Sequence, residues 1–187
     1  SDAPMFATGE RVGEAAIDSN VSGPLIRMDE FRADPRFAGI DGSGFTTVIL
    51  DTGIDLDHPF FGLDSDGNGV ADRIVYQWDY AYDDGDASDV DGHGSNVSSI
   101  VASEDATFTG MAPGADIVHL KVLDDDGSGF FSWMESALQW VVANAAAFNA
   151  ATFVITYSVL LFRCESPLAV GLSPWSQAMP RSSWQLL

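Results

Sequence analysis

Apolar and polar residues follow two alternating patterns along this chain. Short apolar runs with many β-branched residues predict strands at 46–50, 117–123 and 151–160, and an aromatic run predicts another at 73–82. Small or alanine-rich stretches predict helices at 93–103 and 132–149, the second with Ser132 as its N-cap. Strands that alternate with helices are typical of an α/β domain with a mainly parallel sheet.

One stretch, 136–162, contains no charged residue and is long enough to cross a membrane. However, alanine residues dominate its first half, and β-branched residues dominate its second half. A buried helix followed by a buried parallel strand explains this change better than a membrane span does. We therefore expect no association with a membrane.

The two ends of the chain differ from this middle part. Residues 1–44 are expected to form an irregular N-terminal arm, with a short helix or an ordered arm at 29–37, and residues 45–160 form the predicted domain. In the tail, 161–187, the acidic character stops and no periodic pattern is present. We expect this tail to be unrelated to the domain, either through a frameshift or as a vector-derived sequence.

The composition limits the possible partners. The 187 residues carry a formal net charge of −20, so we expect no binding to nucleic acid. The single cysteine, Cys164, excludes an internal disulfide. Residues 1–20 lack the apolar core of a signal peptide, so we expect that any export signal is absent from this chain.

Two residues of the predicted domain indicate a reaction. Asp51 follows the strand at 46–50, at the edge of a parallel sheet where α/β domains form their ligand sites. His93 lies between two glycines at the start of a predicted helix, which favours an accessible imidazole. A carboxylate that orients a histidine is the basis of a charge-relay site. Each residue alone also fits a simple structural role, as a turn cap or a helix start.

Four segments resemble motifs of the subtilases, the subtilisin-like serine proteases. They are Asp51-Thr52-Gly53-Ile54, His93-Gly94-Ser95-Asn96-Val97, Gly110-Met111-Ala112-Pro113-Gly114-Ala115 and Val154-Ile155-Thr156-Tyr157-Ser158. The resemblance covers 28–158, and the aspartate precedes the histidine as it does in subtilisins. It implies a partial subtilisin-like three-layer fold, in which Asp51 orients His93 and His93 is the general base. It also implies a secreted, extracellular protein that acts on peptide or ester substrates.

The family's nucleophilic serine and oxyanion-hole asparagine are not found in these 187 residues. We therefore expect a truncated catalytic domain, whose open sheet predicts a homo-oligomer. Ser158 is the first candidate for a substitute nucleophile, although a serine of the cleft wall without a covalent role is the more common case. The expected function is a serine hydrolase. The alternative is an inactive protease fragment that binds calcium or a partner.

The resemblance also assigns substrate binding to three residues, Ser158, Leu123 and Gly127. Three further residues depart from the family pattern: Ser95 stands for a threonine, Asn96 for a second histidine and Leu160 for a glycine that lets substrate backbone approach closely. We expect the Ser95 hydroxyl to form a hydrogen bond within its own helix.

A second motif predicts a calcium site. Oxygen-bearing residues alternate along 64–72 around a glycine, as in calcium loops of the Asp-x-Asp-x-Asn-Gly kind. The expected ligands are the side chains of Asp64, Asp66, Asn68 and Asp72 and the carbonyl of Val70. The glutamate that completes an EF-hand is absent, because Val75 holds that position. An empty Asp/Gly turn is the other interpretation.

A denser acidic run precedes His93. It consists of Asp83, Asp84, Asp86, Asp89 and Asp91. Such a run binds a cation, favours basic substrates or simply forms a solvated loop. In each case we expect its negative charge to raise the pKa of His93 and to shift activity to higher pH.

Overall fold

The computed structural model describes residue 2, residues 4–6 and residues 19–156. Within them lie six strands: β1 (Pro4–Phe6), β2 (Thr46–Asp51), β3 (Ile74–Asp79), β4 (Asp116–Lys121), β5 (Ser128–Phe130) and β6 (Ala150–Ile155). The strands β3, β4, β2 and β6 form a parallel sheet in that order. The short strands β1 and β5 form a separate antiparallel pair.

Four helices accompany these strands within the described residues. They are α1 (Ser19–Leu25), α2 (Met28–Ala33), α3 (His93–Ala102) and α4 (Phe131–Asn144). Two single 3-10 turns follow α2 and β2, at Pro35–Phe37 and Pro59–Phe61. The helix expected at 29–37 is therefore present as α2 and the turn after it.

The sheet is the middle of three layers. On one face, Leu50 and Leu120 pack in a core that includes Met134 of α4. On the other face, Ile49 and Ile117 belong to a second core, which includes Ala102 of α3. Alternate residues of each strand enter opposite cores, as the period of a strand requires. The chain thus has the predicted α/β fold with a mainly parallel sheet.

Helix α3 lies close to the sheet because its inner face is made of small residues. Gly94, Ser98 and Ala102 follow one another at a spacing of four residues and are all buried. The helix begins at His93 and is preceded by Gly92 in the left-handed region, with φ 92°. This geometry brings the first turn of α3 to the carboxyl end of β2.

The stretch at 136–162 folds as a helix followed by a parallel strand in its described part, as predicted. Its burial is lower than predicted, because β6 is the outer strand of the sheet among the described residues and the Phe153 side chain is 58% exposed. Helix α4 also ends at Asn144, five residues early, and residues 145–149 form turns in which the Ala147 and Asn149 amides donate to carbonyls three residues back. None of the described helices is long and apolar enough to span a membrane.

The predicted N-cap at Ser132 is wrong. Helix α4 begins one residue earlier, and its N-cap Phe130 makes no side-chain hydrogen bond. The Ser132 amide instead donates to the carboxylate of Asp2, at 3.3 Å. The proposed nucleophile Ser158, Leu160 and the tail at 161–187 lie outside the described residues.

Candidate active site

Asp51 is the last residue of β2, and its side chain is fully buried. Its Oδ1 accepts a hydrogen bond from the Thr52 amide at 2.7 Å and lies 2.8 Å from Nδ1 of His93. Its Oδ2 accepts a hydrogen bond from the hydroxyl of Thr156. Each carboxylate oxygen therefore has a fixed partner, which holds the carboxylate in a single orientation.

Glycines allow His93 to reach this carboxylate. A Cβ on Gly94 would lie 2.1 Å from the carbonyl oxygen of Gly53, a distance that no side chain tolerates. The Gly94 amide donates to the Thr52 hydroxyl at 2.9 Å. The first turn of α3 thus packs directly against the turn that follows Asp51.

The pKa of His93 is raised, chiefly by the hydrogen bond from its ring to Asp51 and further by the charges of Asp51, Asp91 and Asp89. Partial burial opposes this effect. With Nδ1 engaged by the carboxylate, Nε2 is the nitrogen left for proton exchange. The side chain retains 22% exposure, so solvent or a substrate can reach it.

The predicted direction of this pKa is confirmed, but its main cause is not the acidic run. Asp51 contributes most, and only the two members of the run nearest to His93 are among the largest causes. Asp83, Asp84 and Asp86 are exposed. The interpretation as a purely solvated loop therefore fits Asp83, Asp84 and Asp86 and fails for Asp89 and Asp91.

Asp89 is the member of this loop that the sequence analysis undervalued. Its Oδ1 accepts from the Thr52 hydroxyl at 2.9 Å and from the Gly92 amide at 2.9 Å. Its Oδ2 accepts from the Ser95 amide at 2.8 Å and from the Ser95 hydroxyl at 2.6 Å. Ser95 thus bonds outside its helix, contrary to expectation. One carboxylate joins the residue after Asp51 to the helix turn that carries His93.

Thr156 is a second residue that sequence reasoning missed. It directly follows β6, which pairs in parallel with β2, so both strands end at the same edge of the sheet. A polar residue at the end of a strand adjacent to Asp51 was the available signal. The first candidate from the sequence, Ser158, lies two residues further on and outside the described residues.

The other predicted substrate residues are placed as follows. Leu123 is fully buried in the core on the α4 side, so its side chain is not accessible to a substrate. Gly127 is buried in the turn before β5, with φ 72°, and its amide donates to the Asp124 carbonyl at 3.0 Å. A role of either backbone in substrate binding stays a prediction.

Loop 64–72 brings together three of the predicted calcium ligands. Asp64, Asp66 and Asp72 each offer a carboxylate oxygen, and these oxygens lie within 4.8 Å of one another. Asp64 accepts hydrogen bonds from the amides of residues 67, 68 and 69, which wraps the loop around it. The Asn68 amide group donates to Asp66 at 3.1 Å, and its carbonyl accepts from the Val70 amide at 2.8 Å.

A buried histidine lies beneath the middle of α3. His119 on β4 is fully buried, with Nδ1 3.4 Å from the Ser98 hydroxyl. Its Nε2 has no hydrogen-bond partner among the described residues. Burial lowers the pKa of His119 to about 4, so the ring is neutral in the folded protein near neutral pH.

Comparison with known proteins assigns the family. The family model described as "Subtilase family" matches residues 42–160, which is more than half of the chain, and the chain belongs to this family. Alkaline serine exoprotease A of Vibrio alginolyticus is 34% identical over 109 residues, which are 58% of this chain and 18% of that protein. Subtilisin E of Bacillus subtilis (strain 168) is 32% identical over 108 residues, which are 57% of this chain and 26% of that protein.

The matched part therefore spans only 18% to 26% of the length of these two relatives. Among solved structures, the Clostridium perfringens CspB protease aligns with a TM-score of 0.57 and 22% identity, over 75% of this chain and 33% of that chain. At this level of identity, the likeness shows the fold alone. The fold and the family agree with the resemblance found in the motifs.

Proposed function

We propose that this chain is a serine hydrolase of subtilase descent, with Asp51 and His93 as its acid–base pair and peptide or ester bonds as its substrates. The 2.8 Å contact between Asp51 Oδ1 and His93 Nδ1, made by a fully buried carboxylate, is the observation that carries this proposal. Membership of the subtilase family supports it.

In the proposed reaction, Asp51 holds His93 in the tautomer with a proton on Nδ1. His93 Nε2 takes the proton of a serine hydroxyl while the serine oxygen forms a bond to the acyl carbon. The same nitrogen then gives that proton to the leaving alcohol or amine as the bond to the acyl carbon breaks. Water next attacks the acyl carbon, Nε2 takes its proton and returns it to the serine oxygen, and the free acid leaves. Ser158 is the proposed source of the hydroxyl, because it lies two residues after Thr156, which contacts Asp51.

Hydrolysis of a short-chain nitrophenyl ester tests this proposal, with a peptide anilide as the second substrate. Esters need less protonation of the leaving group than amides, so a weak site still cleaves them. We expect His93→Ala to remove turnover and Ser158→Ala to reduce it at least about 100-fold.

Two matched variants serve as controls. His58→Ala changes another partly buried histidine, whose Nδ1 caps the turn at Pro59–Phe61, and Ser136→Ala changes an exposed serine of α4. Both are expected to retain turnover. Equal turnover in the wild type and in His93→Ala would reject the hydrolase and leave the alternative, an inactive module that binds calcium or a partner.

We also propose that loop 64–72 binds calcium through Asp64, Asp66, Asn68, Asp72 and the Val70 carbonyl. The three converging carboxylates support this ligand set, since calcium prefers several oxygen ligands. The ion would stabilise the loop and take no part in the acyl transfer. A calcium-dependent change in the unfolding free energy tests the site without any assay of activity.

Self-association is a further part of the proposal. Among the described residues, the outer strand β6 exposes Phe153 and α4 exposes Val142, which gives a second copy an apolar surface to cover. Sedimentation equilibrium gives the mass in solution, and a monomer at all concentrations would reject this part. Secretion stays a prediction from the family resemblance.

A further inference from the structure

Lys121 is the only lysine in the chain, and it is almost completely buried, with 2% exposure. It is the last residue of β4 and pairs in register with Asp51 on β2 and with Asp79 on β3. Residues paired in register carry their side chains on the same face of a sheet. The ammonium group therefore lies at the same sheet end as the carboxylate that orients His93.

The ammonium group is held by several partners. Its Nζ donates to the Ser88 carbonyl oxygen at 2.8 Å and to Asp125 Oδ1 at 2.5 Å. It lies 3.9 Å from Asp79 Oδ2 and 5.6 Å from the centre of the Tyr82 ring. A buried charge with this many partners fixes the segments that supply them, because each loses a buried charge partner if it moves.

The contact with Ser88 has a direct connection to the candidate active site. Ser88 precedes Asp89, whose carboxylate bonds to Thr52 and Ser95. The same segment packs against the turn after Asp51, since the Ile54 amide donates to the Ala87 carbonyl at 2.9 Å. A Cβ on Gly53 would lie 2.6 Å from the Ser88 carbonyl oxygen, so no space separates the two segments.

We propose that Lys121 is a positioning residue for His93: by holding the Ser88 carbonyl, it fixes Asp89, and through Asp89 it fixes the turn of α3 that places the imidazole on Asp51. The catalytic meaning of this role rests on the function proposed above. The mechanical part, from Lys121 to the orientation of the imidazole, is independent of turnover and is tested without substrate.

The pKa of His93, followed by NMR titration of its ring resonances in Lys121→Met, separates positioning from charge. Loss of a nearby cation alone raises the pKa of a histidine, because its protonated form is then repelled less. A loosened bond to Asp51 lowers the pKa of His93, because that bond is the main cause of its raised value. The two explanations therefore predict opposite signs.

We expect the pKa of His93 to fall towards its ordinary value in Lys121→Met, with ester turnover about 10- to 100-fold lower. Lys121→Arg keeps a cationic donor and is expected to retain a raised pKa. Asp125→Asn is the matched control: it removes the charge of another ammonium partner, keeps an acceptor, and leaves the contact with Ser88 in place.

An unchanged or higher pKa of His93 in Lys121→Met overturns the proposal. If that variant does not fold, the double variant Asp79→Asn/Lys121→Met removes the carboxylate that the single change leaves buried without its cation, and the same titration applies. Absence of turnover in the wild type as well would reject the proposed hydrolase, while the titration would still decide whether Lys121 positions the imidazole.

Discussion

The two acidic loops of this protein look alike in sequence and differ in what their carboxylates contact. In loop 64–72, Asp64 and Asp72 bond to amides and a hydroxyl of their own loop. In loop 83–92, Asp89 bonds to Thr52 after β2 and to Ser95 on α3. The first loop is a self-contained oxygen cluster, and the second joins separate elements. The number of acidic residues in a loop thus does not show its structural role. That role depends on which elements the carboxylates bond to.

The largest expected effect comes from Asp89→Ala. The change removes four hydrogen bonds to one carboxylate, one of them from the hydroxyl of the buried Thr52, so we expect the unfolding free energy to fall by about 3 kcal/mol. Urea unfolding measures this loss. The matched change Asp86→Ala, on the exposed part of the same loop, is expected to cost less than about 1 kcal/mol. Equal losses in the two variants would show that Asp89 stabilises the protein no more than the exposed Asp86 does.

Calcium provides the second test, because it should act on one loop only. At a free calcium concentration about 100 times the dissociation constant, we expect the unfolding free energy to rise by about 2.7 kcal/mol. Calorimetry gives the constant, and urea unfolding with calcium or with a chelator gives the difference. Asp64→Ala should abolish it, while Asp84→Ala should retain it. A response that persists in Asp64→Ala would place the ion elsewhere.

The third test uses pH and concerns the sheet rather than either loop, through the buried His119 on β4. The pKa of His119 is lowered to about 4 from 6.5, so the unfolded chain binds a proton that the folded chain excludes. His119 therefore destabilises the folded protein as pH falls. Between about pH 7 and about pH 5, we expect this residue alone to lower the unfolding free energy by about 2 kcal/mol. Urea unfolding of His119→Gln at both pH values should show a pH-dependent loss smaller by that amount. An identical slope in the variant would mean that His119 is not held neutral.

The smallest expected effect concerns Asp91→Asn. Asp91 contributes to the raised pKa of His93, and asparagine keeps an acceptor for the His93 amide. We expect a small fall in the pKa of His93, which extends activity to lower pH because the neutral imidazole is the base. A pH–rate profile measures the shift. Asp83→Asn, whose charge is not among the main causes, is expected to leave the profile unchanged. A larger shift in Asp83→Asn would show that the acidic run as a whole raises the pKa of His93.

Sequence patterns predicted the sheet and its flanking helices well, because local periodicity decides which face of each element is buried. The strand at 46–50 and the helix from His93 appear within one residue of their predicted bounds. Asp51 was expected at the end of a strand and His93 at the start of a helix, and both residues lie there. Their catalytic role stays a prediction. Local signals failed at the end of α4, where the helix ends at Asn144 although helix-forming alanine residues continue at 145–147.

Contacts between distant segments could not be predicted from the sequence. Asp89 and Lys121 give no local signal for the contacts that place them at the site, since Thr52 lies 37 residues from Asp89 and Ser88 lies 33 residues from Lys121 along the chain. For Thr156, the sequence shows only that a polar residue follows a strand, and not that its hydroxyl reaches Asp51. The burial of β6 was overestimated for a related reason: apolar residues in a strand do not reveal whether the strand is central or at an edge. Tertiary packing decides these points, and it follows from the whole set of elements together.

The burial of the only lysine has a practical consequence for following this protein. Amine-reactive acylating reagents attack the unprotonated amine, and a Lys121 that is 2% exposed is shielded from them while the protein stays folded. We therefore expect Lys121 to resist labelling in the folded molecule. An acyl group on Lys121, located by peptide mass spectrometry, therefore marks a molecule in which the carboxyl end of β4 has opened. The rate of acylation of Lys121 therefore reports local unfolding at the carboxyl end of β4.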